Sequence, residues 1–198
     1  TKALETPPVI VGTGPAGLFC GVMLARAGFR PILLERGECV ENRQKTVEHF
    51  WSTRKLNPNS NVQFGEGGAG TFSDGKLNTL VKDKYCRNRK VLELFVEFGA
   101  PSEILYLNKP HIGTDILRKV IINMRNKIIS MGGEFYYNTK LTDINIKEIV
   151  GQLLEDRPIL LENFKVYGEV DFSYSVLNIG RFRVNIFKQK AYWAVAIR

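Results

Sequence analysis

The distribution of apolar residues predicts alternating strands and helices along the first two thirds of the chain. Apolar runs at residues 9–11 and 31–34 each fit a short strand, and an apolar helical pattern joins them. Apolar residues recur at helical spacing over residues 40–55, 87–98 and 114–131. This strand–helix–strand order predicts an α/β fold, a Rossmann-like domain built on a parallel sheet.

The region after the last of these helices is expected to return to strands. A Gly-Gly pair ends the helix, and residues 134–138, 140–146 and 159–166 favour strands. Together they predict a small β meander over residues 134–170. The segment 83–110, which contains one of the predicted helices, is interpreted as a helical excursion from the sheet.

The turn after the first strand has the glycine spacing of a dinucleotide-binding motif. Gly12 permits a tight turn, Gly14 lacks a Cβ and so admits a pyrophosphate, and Gly17 lets the helix pack on the strand. The helix N-terminus also presents free N–H groups to phosphates. Glu35 ends the second strand eighteen residues after Gly17, where an acid accepts hydrogen bonds from a ribose. A glycine-rich turn in an ordinary βαβ unit is the alternative, but this full context favours a dinucleotide site.

A second glycine-rich block occupies residues 62–79. Five glycines fall within eleven residues, at Gly65, Gly67, Gly68, Gly70 and Gly75. So many glycines disfavour both helix and strand. The block also contains large apolar residues, which are atypical of a flexible linker. We therefore expect a loop that faces a ligand, with a purely structural loop as the alternative.

Composition restricts the classes of protein that remain. The 198 residues, 44% of them hydrophobic, suffice for one globular domain or two. The net charge of +8 is divided evenly between the halves and accompanies no nucleic-acid-binding motif, so we expect no nucleic-acid partner. No apolar run could span a bilayer and no signal peptide precedes the first strand, so we expect no membrane partner and a cytoplasmic location. Neither the three cysteines nor the two histidines have ligand spacing, so no metal is expected.

Three segments together resemble a known family. They are the glycine motif of residues 12–21, the sequence LLERG at 33–37 and above all NVQFGEGGAGTFSDGKLNT from Asn61, and the likeness continues through KPHIGTDILRKVI at 109–121. They resemble bacterial FAD-dependent dehydrogenases, which are NAD(P)/FAD-dependent oxidoreductases of the two-dinucleotide-binding-fold superfamily. The resemblance covers roughly residues 7–146.

The resemblance implies positions for FAD. The pyrophosphate would be held by Gly12, Gly14, Pro15, Ala16 and Gly17, and the ribose by Glu35. The residues approaching the flavin would be Gly67, Gly68, Ala69, Gly70 and Thr71. Arg36 and Arg43 are further candidates for cofactor contact, and for Arg43 a solvated helix arginine is the alternative.

Several residues expected near the flavin have reactive or hydrogen-bonding side chains, and alternative roles remain for each of them. Lys76, or the hydroxyls of Thr71 and Ser73, would lie near the ring, and Asp74 would act in proton transfer or shape a turn. His111 is either a general acid/base or a structural histidine. No catalytic residue is assigned.

The chain is thus interpreted as a single, incomplete FAD-binding domain over residues 1–198. The resemblance implies that the family's proteins continue for about as many residues again. The sequence departs from the family from about Val150 onward and matches it poorly after Gly180. The expected function is that of an FAD-binding oxidoreductase, with NAD(P)H as a candidate electron donor and a small-molecule substrate of unknown identity. An NAD(P)-binding domain and a non-catalytic nucleotide-binding fragment are the alternatives.

Overall fold

The computed structural model describes residues 7–73, 75–77, 83–107, 109–176, 180–189 and 192–197. The chain divides into two compact units, residues 1–140 and 141–198, which are described separately. The prediction of one incomplete domain over the whole chain stays a prediction. No helix in the described ranges is both long and apolar enough to cross a membrane.

The first unit contains a parallel sheet of three strands. The strands are β1 (Val9–Val11), β2 (Ile32–Leu34) and β3 (Glu134–Tyr136), in the order β1-β2-β3. Each neighbouring pair is parallel, with Val9 opposite Ile32 and Ile32 opposite Glu134. The predicted parallel sheet is confirmed, and a strand lies within the predicted residues 134–138, over Glu134–Tyr136.

Helices of the first unit accompany this sheet, and α1 and α4 pack against its strands. They are α1 (Pro15–Arg26), α2 (Val40–Thr53), α3 (Arg87–Glu97) and α4 (Thr114–Ser130). The packing is close: a Cβ added to Gly21 of α1 would lie 3.0 Å from Ile128 Cδ1 of α4 and 3.1 Å from Leu33 Cδ2 of β2. The core at this interface includes Leu18, Val22, Leu33, Val120, Met124 and Ile128.

The second unit packs two helices against an antiparallel sheet. The helices are α5 (Asp143–Leu154) and α6 (Pro158–Tyr167), and the strands are β4 (Glu169–Val176), β5 (Gly180–Gln189) and β6 (Tyr192–Ile197). The strands are ordered β4-β5-β6 and pair antiparallel. The helices and the inner sheet face enclose a small core of Val150, Leu154, Phe164, Val170, Val184 and Ile186.

The predicted position of the β meander, residues 134–170, is wrong, because the antiparallel strands lie at 169–197. The segments expected as strands at 140–146 and 159–166 belong largely to α5 and α6. The reason is local. Thr142 and Asn145 form a reciprocal capping box that starts α5, and Val150 and Leu154 recur at helical spacing on its buried side. Pro158 occupies the first turn of α6. The mixed α/β fold itself is confirmed.

Candidate functional site

The turn between β1 and α1 has the geometry that its glycines predicted. Gly12 adopts a φ of +91°, and its N–H donates to the carbonyl of Leu34 at 2.7 Å. A Cβ on Gly17 would lie 1.9 Å from the carbonyl oxygen of Gly12, so only glycine fits there. A Cβ on Gly14, the N-cap of α1, would meet no atom within 4 Å. The chain therefore leaves open space beside Gly14, at the positive end of a twelve-residue helix.

Glu35 lies where the motif predicts an acid, one residue beyond β2, and its carboxylate is buried. Oε2 accepts hydrogen bonds from the Thr13 N–H at 2.9 Å and the Thr13 hydroxyl at 2.8 Å. Oε1 accepts one from the Gly37 N–H at 2.9 Å. The carboxylate thus ties the turn after β1 to the turn after β2. A carboxylate oxygen can accept two hydrogen bonds, so Oε1 keeps acceptor capacity.

The second glycine-rich block lies directly against this turn. The N–H of Gly67 donates to the carbonyl of Thr13 at 2.8 Å. A Cβ on Gly68 would lie 3.2 Å from Pro15 Cδ and 3.4 Å from Gly14 Cα. The structure therefore brings together the two segments that the sequence singled out, although they are about fifty residues apart.

Arg43 of α2 is the residue that orders the block. It is fully buried. Its Nε donates to the carbonyl of Asn61 at 2.8 Å, and its Nη1 donates to the carbonyls of Glu66 at 2.7 Å and Gly68 at 2.8 Å. Burial lowers the pKa of Arg43 to about 10, although the negative charges of Glu35 and Glu66 act to raise it. The side chain is therefore charged at neutral pH. The alternative of a solvated helix arginine is wrong.

Two guanidinium nitrogens near the turn are buried without a hydrogen-bond partner among the described residues. They are Nη2 of Arg43 and Nε of Arg36. The Arg36 guanidinium lies 3.8 Å from the centre of the Phe64 ring, and its Nη2 donates to the carbonyl of Pro58 at 3.2 Å. Buried donors without an acceptor are costly, so these two N–H groups are candidates for contact with a bound anion.

A buried polar network on Glu66 anchors the same block from the other side. Glu66 Oε2 accepts from the N–H of Val40 at 2.8 Å and from Nη1 of Arg125 at 2.7 Å. Its Oε1 accepts from the hydroxyl of Tyr137 at 2.7 Å. Arg125 also pairs with Glu41, through a short contact from its Nη2. The network joins the block to α2, to α4 and to the residue after β3.

The pKa values within this network follow from its burial. Burial raises the pKa of Glu66, although the hydrogen bonds from Tyr137 and Val40 and the charge of Arg125 oppose the shift. Burial and then the charge of Glu66 raise the pKa of Tyr137. Burial acts to lower the pKa of Arg125, but its hydrogen bonds to Glu41 and Tyr137 outweigh this and raise it. The phenol therefore stays a hydrogen-bond donor well beyond neutral pH.

An apolar cavity of about 210 Å³ lies beside the block. Gly67, Gly70, Ser73 and Lys76 border it, so part of the block that was expected near the flavin faces this space. Its remaining walls come from α1, α3 and α4 and from Gly75 and Leu77. The apolar side chains are Pro15, Leu18, Phe19, Leu77, Phe95, Leu117, Ile121 and Met124.

The other predicted residues are distributed around these features. Ala16 and Ala69 are exposed, at the start of α1 and of the 3₁₀ turn Ala69–Phe72. Thr71 is buried, with its hydroxyl 3.4 Å from the carbonyl of Glu66. His111 is exposed and pairs with Lys76 in an isolated antiparallel bridge. Asp74 lies outside the described residues.

Sequence analysis missed Glu66, Arg125, Tyr137 and Thr13. The available signal for Glu66 was its position as an acid directly between Gly65 and Gly67. Arg125 follows Ile121 by one helical turn, beside the buried face of α4, and this spacing does not distinguish it from a solvated arginine. Among the described residues, no group of three or more His, Cys, Asp or Glu side chains could hold a metal ion.

Comparison with protein families identifies the N-terminal part of the chain. Residues 5–48 match the family model described as an FAD binding domain. This match covers β1, α1, β2 and the first turns of α2, and with them the turn around Gly14. It confirms the predicted resemblance to FAD-binding proteins over this motif.

A curated relative covers much more of the chain. It is an uncharacterized protein of Clostridium beijerinckii, 51% identical over 148 residues, which are 75% of this chain and 27% of the relative. The chain therefore spans about a quarter of that relative's length.

Solved structures give weaker likenesses. THI4 of Thermovibrio ammonificans has a TM-score of 0.37 at 15% identity, covering 96% of this chain and 53% of that one. A ternary complex of aklavinone-11 hydroxylase with FAD and aklavinone has a TM-score of 0.33 at 11% identity, covering 100% of this chain and 32% of that one. At these scores neither carries an argument about this chain.

Proposed function

We propose that this chain forms the part of an FAD site that holds the ADP half of the cofactor, in a flavin-dependent oxidoreductase. The observation that carries the proposal is the open space beside Gly14, where a Cβ would meet no atom within 4 Å. This space lies at the start of α1, and the second glycine-rich block packs against the same turn. The match of residues 5–48 to an FAD binding domain favours FAD over NAD(P) as the dinucleotide.

The residues around the turn fit the groups of an ADP moiety. The pyrophosphate would bind the free N–H groups at the start of α1, close to Gly14, Pro15 and Ala16. Nη2 of Arg43 and Nε of Arg36, which have no partner in the described part of the chain, would add charged donors for an anion. Glu35 would accept a hydrogen bond from a ribose hydroxyl at its Oε1, which accepts one bond, from the Gly37 N–H, among the residues that the structure describes.

Glycines of the block, Gly67 to Gly70, would pass close to the cofactor beyond the pyrophosphate. Flavin, when bound, supplies hydride transfer, and the protein positions and tunes it. The chain contributes a turn that is already ordered, because Glu35, Arg43 and Glu66 hold its backbone through buried hydrogen bonds. The substrate, and NAD(P)H as electron donor, belong to this proposal as candidates only.

The test compares the purified chain with two matched valine variants. Gly14→Val fills the space beside the turn, whereas Gly151→Val adds the same side chain to α5, where a Cβ also meets nothing within 4 Å. We expect the wild type and Gly151→Val to show the two-banded absorption of bound flavin after addition of FAD. We expect Gly14→Val to bind FAD at least about tenfold more weakly, a loss of about 1.4 kcal/mol, while its circular dichroism stays unchanged.

The same titration distinguishes the alternatives. A folded wild type that takes up no FAD would contradict the proposal and favour a fragment without cofactor. Uptake of NADPH with no uptake of FAD would favour an NAD(P)-binding domain. Equal FAD affinity in Gly14→Val and the wild type would show that FAD does not bind at this turn.

A further inference from the structure

The apolar cavity beside the second glycine-rich block has walls that define what it can hold. Leu18, Leu117, Ile121 and Met124 line it and are each at most 8% exposed. Phe19 and Phe95 form one wall as an edge-to-face pair, with ring centres 5.3 Å apart and planes at 81°. Such a surface offers dispersion contacts and aromatic edges, and no buried charge.

Polar side chains form a small and exposed part of the cavity lining. Among the described residues that line it, Ser73 and Lys76 carry the polar side chains, and both are exposed. A molecule inside would therefore place its apolar body against the helices and one polar substituent toward solvent at Ser73 and Lys76. All the lining residues belong to the first unit.

The volume restricts the size of the molecule. An apolar cavity of about 150 Å³ holds benzene, whereas pockets for drug-sized ligands begin at about 300 Å³. The cavity here measures about 210 Å³. It is thus too small for a three-ring flavin with its chain, and large enough for one substituted aromatic ring or a fused pair of rings.

We propose that this cavity binds a small planar aromatic molecule bearing one polar substituent, and that such molecules are the substrate class of the oxidoreductase. The assignment as substrate rests on the proposed function, because the cavity is bordered by Gly67 and Gly70, which would approach the flavin. The binding itself rests on the walls and the volume alone.

Indole is the probe, because it is a fused bicycle with one N–H group. Calorimetric titration of the chain with indole, with and without FAD, should give a dissociation constant below about 1 mM. Leu117→Phe places a larger side chain in the cavity and should weaken indole binding about tenfold. Gly70→Val is a second blocking variant, since a Cβ at Gly70 meets no atom within 4 Å and should not disturb the fold.

A matched pair of truncations in α4 provides the control. Leu117→Ala and Ile128→Ala both remove a buried aliphatic side chain, but only Leu117 borders the cavity. Leu117→Ala should admit a larger ring system such as acenaphthene, which the wild type should exclude. Ile128→Ala should leave indole affinity within about twofold of the wild type, with any loss of stability seen separately in thermal unfolding.

The outcomes separate this inference from the proposed function. FAD uptake without indole binding would refute the cavity site and leave the FAD site standing. Indole binding in a chain that takes up no FAD would support the cavity site and refute the substrate role. Mutual exclusion of FAD and indole would show that the cavity belongs to the cofactor site, and would overturn the inference.

Discussion

Removal of the Glu66 carboxylate tests whether the buried network holds the second glycine-rich block in place. Glu66 is fully buried and accepts from Val40, Arg125 and Tyr137. In Glu66→Ala the Val40 N–H and the Tyr137 hydroxyl lose their acceptor. Arg125, whose side chain is 11% exposed, keeps its pairing with Glu41 and its hydrogen bond to the Tyr137 hydroxyl at 3.4 Å. Removing one partner of a buried ion pair costs about 3–5 kcal/mol. Because Glu41 still pairs with Arg125, we expect a loss at the lower end of this range, about 3 kcal/mol.

Glu66→Gln is expected to be much milder. The amide oxygen can accept from Val40 and Arg125, and the amide nitrogen can donate to the Tyr137 oxygen, which is also an acceptor. Only the charge-assisted part of the hydrogen bonds is lost, about 1–2 kcal/mol. The conservative variant therefore separates the loss of charge from the loss of geometry.

Thermal unfolding and amide exchange provide the assay. For a chain of this size, 1 kcal/mol corresponds to about 2–4 °C, so Glu66→Ala should lower the unfolding midpoint by about 6–12 °C. Exchange at the Val40 amide, which Glu66 protects directly, should accelerate most. The matched control is Glu93→Ala, which removes an exposed carboxylate 3.2 Å from Arg89 and should cost at most about 1 kcal/mol. Equal losses in Glu66→Ala and Glu93→Ala would refute the reasoning.

Two further predictions concern the turn and the network. Gly17→Ala places a Cβ 1.9 Å from the Gly12 carbonyl oxygen, and should destabilise the chain by about 3 kcal/mol and abolish FAD uptake; a variant with wild-type denaturation would contradict this packing. Tyr137 has a raised pKa in the folded chain, so its contribution to stability is complete below the unfolded value of about 10 and is lost as pH rises above it. Between pH 9 and pH 11 the wild type should therefore lose more stability in urea than Tyr137→Phe, and parallel losses would contradict the pKa direction.

The parts of the fold that depend on neighbouring residues were accessible from sequence. Gly12, Gly14 and Gly17 all act within the single turn between β1 and α1, where they permit a positive φ, open space and close packing. Their spacing alone therefore predicted the geometry of this turn. The second unit shows the opposite case. Apolar β-branched residues near Ile146 and Ile159 suggested strands, whereas the capping box of Thr142 and Asn145 favours a helix. If this capping box had been taken as the start of a helix, the sequence would have predicted α5.

The site was only partly predictable because its main contacts join distant segments. Glu66 meets Arg125 and Tyr137 at separations of 59 and 71 residues. No local pattern records such pairings, since a buried arginine and a solvated one have the same spacing on a helix. For Arg43 the sequence allowed a cofactor contact or a solvated side chain. The structure shows a third arrangement, in which the guanidinium binds backbone carbonyls of the block.

This arrangement explains how a segment so rich in glycine can serve as a binding surface. Each glycine increases the conformational entropy that is lost when the segment is ordered. The hydrogen bonds of Arg43 to the carbonyls of Asn61, Glu66 and Gly68, and the network of Glu66, fix the backbone through contacts within the chain itself. The entropy of the block is therefore lost during folding. A ligand that binds this surface does not have to order the block, so less of its binding free energy is offset. Variants that disturb Glu66 without touching Gly14 or Arg43 should thus weaken FAD binding through the order of the block rather than through lost contacts.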